Sequence, residues 1–198
     1  MAVQVPGALP SYTGYKSYSV LTSDLTLDER RVVRAHVEDV LGYVAKELRI
    51  KTDDRDLEIR DILPATDLGL AATNDFLVAG AGIAGTELAY FAPLVGINVC
   101  MAFFGVAVEN AAPGISSMRL TQGPVAPGVE VRGVYQIESL YDCLEPRAYF
   151  TEPVVFTRSE TARALVTPRV AFAVNTQRVK LYGKIVEPRG TVLSGSSV

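Results

Sequence analysis

The sequence has few of the side chains that most catalytic and metal sites require. Its 198 residues include a single histidine, His36, and two cysteines, Cys100 and Cys143, which are isolated from each other in sequence. This pattern offers no metal-ligand spacing, and no G-x-S-x-G motif accompanies the histidine. We therefore predict no catalytic residue and no metal ligand. We interpret His36 as structural or solvent-facing and the cysteines as buried free thiols, with a disulfide between them as the alternative.

A dense basic cluster is also missing. The chain has 19 Lys and Arg residues against 22 Asp and Glu residues, which gives a formal net charge of −3. Proteins that bind nucleic acid usually present a strongly basic face to the phosphates. We therefore predict no specific nucleic-acid partner. The first residues, Met-Ala-Val-Gln-Val-Pro, lack the basic and apolar segments of a secretory signal, so no such signal is expected.

Apolar residues are abundant instead. Hydrophobic residues make up 48% of the chain, and the mean hydropathy is +0.21. The most apolar stretch is Phe76–Val108, in which Glu87 is the only formally charged residue. Exposing such a stretch would cost roughly 25 cal/mol for each Å² of apolar surface left in water. It must be buried in a core, in a membrane or against another subunit.

Two windows of this stretch, Phe76–Gly96 and Phe91–Val108, approach the length of about twenty residues that a membrane-spanning helix needs. Glu87 would lie in the middle of the first window and Asn98 within the second, and no Lys/Arg cluster flanks them. We predict no membrane span. Residues Val99–Val108 are rich in Val, Phe and small side chains, which predicts a strand buried on both faces.

A G-x-G-x-x-G motif lies in the same stretch, formed by Gly80, Gly82 and Gly85 directly after the apolar segment 76–78. In dinucleotide-binding folds such glycines bring the backbone close to a pyrophosphate at the start of a helix. Here Pro93 would limit that helix to about two turns. We therefore expect no cofactor and interpret the glycines as sites of close backbone packing or a bulge. A dinucleotide-binding oxidoreductase stays as an alternative.

The clearest helix begins with a capping box. Thr26 and Glu29 stand three residues apart, so that each side chain can accept a hydrogen bond from the other's backbone N–H. The apolar periodicity that follows predicts an amphipathic helix over about 27–48. Its predicted buried stripe consists of Val33, Val37, Val40, Val44 and Leu48.

Strand patterns follow. Leu57 and Ile59 alternate with charged residues up to Pro64, which is typical of an edge strand, and 64–75 is predicted to be a loop or a short helix. Short strands with Pro and Gly turns, about ten residues apart, are typical of a sandwich or barrel. In the second half of the chain they are predicted at Ile115–Leu120, 129–137, Val154–Phe156, Ala162–Val166, Val170–Val174 and Val179–Val186.

The predicted fold class is therefore α+β, mainly β: an antiparallel, jelly-roll-like β-sandwich with one long amphipathic helix near the N-terminus and extended terminal arms. A single domain is expected over 23–188, with the sandwich mainly at 97–187. The arms are 1–22, rich in Pro, Gly and Tyr, and 189–198, which is small and polar.

Three tyrosines recur every third residue in the first arm: Tyr12, Tyr15 and Tyr18. Tyrosine offers a large apolar area with a polar tip, which suits a subunit interface. Our hypothesis is that these tyrosines dock on a neighbouring subunit. Packing of the arm on the chain's own body is the alternative.

The β-rich half Ile115–Pro188, which closes with Lys180-Leu-Tyr-Gly-Lys-Ile-Val-Glu-Pro188, resembles structural proteins of virus and phage particles, including single jelly-roll capsid proteins and cement proteins. The resemblance implies a non-enzymatic protein of the virion, assembled in the host cytoplasm, with copies of itself and another shell protein as partners. It also implies arms that cross to neighbours and apolar surface buried between copies. A β-sandwich module that binds a peptide or a carbohydrate is a further alternative.

Overall fold

The chain is mainly β and has one long helix near the N-terminus. The predicted fold class is confirmed at this level. The structure is a computed structural model that describes residues 21–22, 25–47, 57–70, 75–110, 114–123, 130–142 and 146–189. The predictions for Tyr12, Tyr15, Tyr18, Cys143 and the tail beyond Arg189 lie outside these residues.

Two antiparallel sheets contain the strands of the described residues. The strands are β1 Leu21–Thr22, β2 Leu57–Asp61, β3 Leu88–Phe91, β4 Cys100–Val108, β5 Ile115–Gln122, β6 Glu130–Gln136, β7 Arg147–Phe156, β8 Ala162–Pro168 and β9 Val179–Pro188. One sheet has the order β1-β7-β4-β9-β2, and the other has the order β3-β8-β5-β6. The helices are α1 Leu27–Glu47, α2 Pro64–Leu68 and a 3-10 helix, Glu138–Asp142. No helix among the described residues is long and apolar enough to cross a membrane.

The central strand β4 explains much of the apolar stretch. All nine of its residues are buried. Met101, Phe103 and Val106 belong to the core that the two sheets share, whereas Ala102 and Phe104 pack in a second cluster with α1. The prediction of a strand buried on both faces is therefore confirmed.

Helix α1 begins with the predicted capping box. The backbone N–H of Thr26 donates to the Glu29 carboxylate at 2.7 Å, and the N–H of Glu29 donates to the Thr26 hydroxyl at 3.3 Å. Hydrogen bonds from Thr26 also lower the pKa of the Glu29 carboxyl. These contacts fix the start of the helix by satisfying backbone donors that have no partner within it.

The buried stripe of α1 differs from the predicted one. Val33 and Val37 are buried as expected, but Leu41 and Ala45 continue the stripe while Val40 and Val44 are only half-buried. The observed residues are four apart throughout. A strict spacing of four follows one ridge of the helix, and here that ridge is the one that packs on the sheet. Leu48 lies outside the described residues.

Replacing Thr26 with Ala is expected to lower the free energy of unfolding by about 1 kcal/mol, because one N-cap acceptor is lost. Thr26→Ser should retain most of the stability, since serine supplies the same oxygen. Urea denaturation followed by circular dichroism would measure both variants. Equal stability of Thr26→Ala and the wild type would show that the capping box does not stabilise the protein.

Two further strand predictions need correction. The strand predicted at Val154–Phe156 is longer than expected and begins at Arg147. Pro153 can lie inside this strand because it falls where the register between β4 and β7 shifts, so that no regular ladder hydrogen bond is required of it. Residues 170–174 do not form a regular strand, because only Phe172 makes a bridge there. The sheets also include β2 and β3, which precede the predicted limits of the sandwich.

Strand β2 is an edge strand, as predicted, since it pairs only with β9. The chain after it forms the short helix α2, with Pro64 at its first turn and Gly69 in a left-handed conformation at its C-cap. The single described cysteine, Cys100, is free and buried, and burial raises the pKa of its thiol to about 12. This agrees with the interpretation of Cys100 as a buried thiol.

Candidate functional site

The first candidate site is a pair of adjacent loops at one end of the sheets, residues 76–86 and 169–178, which we call the paired loops. Gly82 and Phe172 exchange two backbone hydrogen bonds of 3.0 and 3.1 Å. The N–H of Val78 donates to the Gln177 carbonyl at 2.9 Å, and the N–H of Gly85 donates to the carbonyl of Pro168 at 2.9 Å. The two loops are therefore one hydrogen-bonded unit.

The glycines of the motif allow this close pairing. A Cβ atom at Gly82 would lie 2.4 Å from the Phe172 ring, and one at Gly80 would lie 2.8 Å from the Leu88 side chain. Gly85 has a φ of +74°, in the left-handed region that disfavours other residues. The interpretation of the glycines as positions of close backbone packing agrees with these contacts.

The strand–turn–helix unit of a dinucleotide site is not formed. Residues 84–86 make a turn, and the next element is strand β3 rather than a helix. The N–H of Gly82 already donates to the Phe172 carbonyl of the other loop, and the N–H of Gly85 donates to the carbonyl of Pro168 at the end of β8. Two of the three glycine N–H groups are therefore not available to a phosphate, and the motif is followed by β3 rather than by a helix N-terminus that could bind one.

The paired loops expose an apolar surface. Ile83 is 69% exposed, Val170 50% and Val174 56%. Five exposed alanines lie on the same two loops, and no charged residue occurs from 76 to 86 or from 170 to 177. The alanines that are exposed on the two loops are Ala79, Ala81, Ala84, Ala171 and Ala173. We call these eight exposed side chains the apolar patch.

Charged residues at the margins of the patch are paired. Arg178 donates to Asp75 at 2.9 Å, and Arg169 lies 2.8 Å from Glu138. Glu87 accepts a hydrogen bond of 2.5 Å from Arg119. The patch thus has an apolar centre and a polar rim, which is the usual anatomy of a protein interface.

The second candidate site is a pocket of about 200 Å³ between the first turns of α1 and the outer face of the five-stranded sheet. We call it the arginine pocket. Four arginines and two tyrosines line most of it. The lining residues are Leu27, Arg30, Arg31, Arg34, Arg147, Tyr149 and Tyr182. No acidic side chain is among these described lining residues.

Aromatic rings form the floor of the arginine pocket. Tyr149 on β7 and Tyr182 on β9 stack with ring centroids 5.7 Å apart and planes 11° apart. Phe104, on the strand between them, stacks with each at 6.3 Å. The three rings therefore form a triangular cluster on three adjacent strands, and Tyr149 and Tyr182 of this cluster line the pocket.

The arginines influence the tyrosine beneath them. Burial raises the pKa of the Tyr149 hydroxyl above its ordinary value and Tyr182 adds to the rise, whereas the positive charges of Arg30, Arg34 and Arg147 act in the opposite direction. The hydroxyl therefore stays protonated at neutral pH. It can donate a hydrogen bond to a ligand in the pocket.

Sequence reasoning identified the motif glycines but missed both surfaces. Arg30 and Arg34 are one helical turn apart, which is a visible signal, but Arg147 is more than one hundred positions away in the sequence. The apolar patch likewise combines two loops separated by β3 to β8. Among the described residues, no three His, Cys, Asp or Glu side chains converge as they would around a metal ion.

No protein-family model, curated protein or solved structure matches this chain.

Proposed function

We propose that the protein is a non-enzymatic structural protein that assembles with copies of itself, as a capsid or cement protein of a virus or phage particle. The observation that carries the proposal is the apolar patch of the paired loops. In the same proposal, the protein is located in a virion that is assembled in the host cytoplasm. A second shell protein is its other partner.

The composition of the patch supports a copy of the same chain as its partner. Contiguous exposed apolar surface with a polar rim is typical of interaction sites. Small side chains such as Ala79, Ala81 and Ala173 let two backbones approach closely, and Ile83 and Val174 supply the larger apolar contacts. Permanent assemblies bury more apolar surface than transient ones, which agrees with the high hydrophobic content of the chain.

We further propose that the two sheets form a jelly-roll sandwich, and the strand pairing supports this. Apart from the two-residue β1, β2 pairs with β9, β3 with β8, β4 with β7 and β5 with β6, all antiparallel. Such nested pairing results when one long hairpin of eight strands winds into two sheets. Jelly rolls occur in viral capsid proteins, and also in lectins and cupins. The strand order therefore supports the fold, whereas the patch supports assembly.

The double substitution Ile83→Asp and Val174→Asp tests the proposal. Two carboxylates buried in an interface without partners should weaken association about 100-fold or more. Size-exclusion chromatography with light scattering would measure the mass of the variant at several concentrations. We expect the variant to remain at the monomer mass of 21.3 kDa under conditions in which the wild type assembles.

Val131→Asp is the matched control, because Val131 is 45% exposed but lies on β6, away from the paired loops. This variant should assemble like the wild type. Unfolding curves of both variants would show whether a change in mass comes from misfolding. Normal assembly of the folded double variant, or loss of assembly in Val131→Asp alone, would contradict the assigned surface.

A further inference from the structure

We propose that the apolar patch binds a different apolar surface on a neighbouring copy of the chain, so that the copies associate head to tail. This other surface consists of the exposed side chains of Ala92, Leu94 and Ile97, in the loop between β3 and β4, and we call it the second surface. The inference rests on the assembly proposed above and names the partner of the apolar patch. A contact between two unlike surfaces produces a closed ring or an open filament rather than a closed dimer.

The two surfaces lie at opposite ends of the paired strands β3 and β8. At one end, the N–H of Gly85 in the paired loops donates to the carbonyl of Pro168, the last residue of β8. At the other end, the N–H of Ala162, the first residue of β8, donates to the carbonyl of Pro93 at 2.9 Å. Strand β8 has 7 residues, and a strand rises about 3.4 Å per residue, so roughly 20 Å separate the two surfaces. One copy can therefore contact a neighbour at each end.

Exposed apolar side chains are concentrated at these two ends. Five of the eight large apolar side chains that are exposed in the described part of the chain lie there, three in the apolar patch and two in the second surface. Leu94 is 70% exposed and Ile97 is 67% exposed, and no charged residue occurs from 88 to 108. Association of two apolar patches with each other would leave Leu94 and Ile97 in water, whereas a head-to-tail contact buries both surfaces.

The loop holds the second surface in a fixed position. Val95, which lies between Leu94 and Ile97 in the sequence, is 2% exposed and belongs to the shared core of the two sheets. Its N–H donates to the backbone carbonyl of Glu160 at 2.9 Å, and its carbonyl accepts a hydrogen bond of 2.9 Å from the N–H of Ser159. The loop backbone therefore loses little conformational freedom when a neighbour binds, which favours association.

The side chains of the two surfaces differ in size in a complementary way. Leu94 and Ile97 are large, whereas five of the eight exposed side chains of the apolar patch are alanines. Facing layers interdigitate when large side chains meet small ones. Two second surfaces in contact would instead bring large side chains against each other. The sizes thus favour contact between the unlike surfaces of two copies.

The area of the second surface also favours a repeating contact. A stable pair of proteins usually buries about 800 Å² on each partner. The three side chains of the second surface supply less than this, because even an aromatic side chain buries no more than about 250 Å². A copy inside a ring or filament buries both of its surfaces at once, so that each copy is held by two contacts.

Two double variants, one for each surface, test the proposal. Leu94→Asp with Ile97→Asp changes the second surface, and Ile83→Asp with Val174→Asp changes the apolar patch. Each variant should associate about 100-fold or more weakly than the wild type, because carboxylates would be buried without partners. Sedimentation velocity across a concentration series would measure the mass. Each variant alone should remain at the monomer mass of 21.3 kDa.

An equimolar mixture of the two variants should form a species of two chains and none larger. In this mixture the intact apolar patch of one variant binds the intact second surface of the other, whereas the remaining two surfaces carry carboxylates. A mixture that stays monomeric at concentrations at which the wild type assembles would overturn the proposal. Wild-type assembly by the folded second-surface variant would overturn it as well, and the assembly proposed above would stand in that case. A monomeric wild type would overturn both.

Val131→Asp is the control here too, because β8 and β5 separate its strand, β6, from β3. It should assemble like the wild type, and unfolding curves would show that each variant is folded. If the second-surface double variant does not fold, Ile97→Asp provides a folded comparison, since Ile97 lies outside the bridge between Leu94 and Thr161. This single variant should associate about tenfold or more weakly than the wild type. Equal association of the two would overturn the proposal.

Discussion

Replacing Phe103 with alanine is expected to lower the free energy of unfolding by about 3–5 kcal/mol, because the substitution leaves a large cavity in a fully buried position. Phe103 lies on β4 with none of its surface exposed. Its ring centroid is 5.7 Å from that of Phe91 in the other sheet and 6.0 Å from that of Phe156 on β7. The side chain therefore joins the two sheets at the centre of their shared core.

Urea denaturation followed by tyrosine fluorescence and circular dichroism would measure this loss. Tyr43→Ala is the control, because it also removes an aromatic ring, but from a residue that is 65% exposed on α1. The control should change the stability by less than about 0.5 kcal/mol. A loss below about 1 kcal/mol for Phe103→Ala would contradict the position of Phe103 in the core.

Replacing Arg60 with leucine is expected to cost a similar amount, about 3–5 kcal/mol, because the change leaves two buried carboxylates without their cationic partner, and Asp67 keeps the hydrogen bond from the Leu63 backbone N–H. Arg60 binds Asp67 of α2 through two hydrogen bonds of 2.7 and 2.9 Å, and Glu187 of β9 through one of 2.6 Å. The side chains of Asp67 and Glu187 are only 6% and 11% exposed. The hydrogen bond with Asp67 is the main reason that the pKa of Arg60 is raised.

The half-exposed pair of Arg169 and Glu138 provides the control. Arg169→Leu should cost no more than about 1 kcal/mol, because water already solvates both charges. Adding Asp67→Asn and Glu187→Gln to Arg60→Leu should recover part of the loss, since the uncompensated charges are then removed. If Arg60→Leu and Arg169→Leu had equal effects, the buried network would not stabilise the attachment of α2 and β2 to β9.

Local and compositional signals in the sequence predicted much of the fold. The capping box of Thr26 and Glu29 acts within four residues, so the start of α1 could be predicted directly. The richness of Val99–Val108 in Val, Phe and small side chains predicted a strand buried on both faces, and β4 is such a strand. Alternation along Val179–Val186 likewise predicted β9.

Contacts between distant residues could not be predicted in this way. Gly82 pairs with Phe172, ninety positions later, so no residue near the glycine motif in the sequence indicates the partner of this loop. The predicted buried stripe of α1 was wrong from Val40 onward, because Leu41 and Ala45 pack against the sheet instead. The arginine pocket needs Arg147 and two tyrosines from the sheet, which no periodicity in the helix reveals.

The mass of the native, full-length protein across a concentration series tests the central claim of self-assembly most directly. Light scattering or analytical ultracentrifugation would measure it. We predict a discrete or growing assembly well above the chain mass of 21.3 kDa, reduced to the monomer by Ile83→Asp with Val174→Asp. A wild-type protein that remains a 21.3 kDa monomer at the highest concentration would contradict the claim.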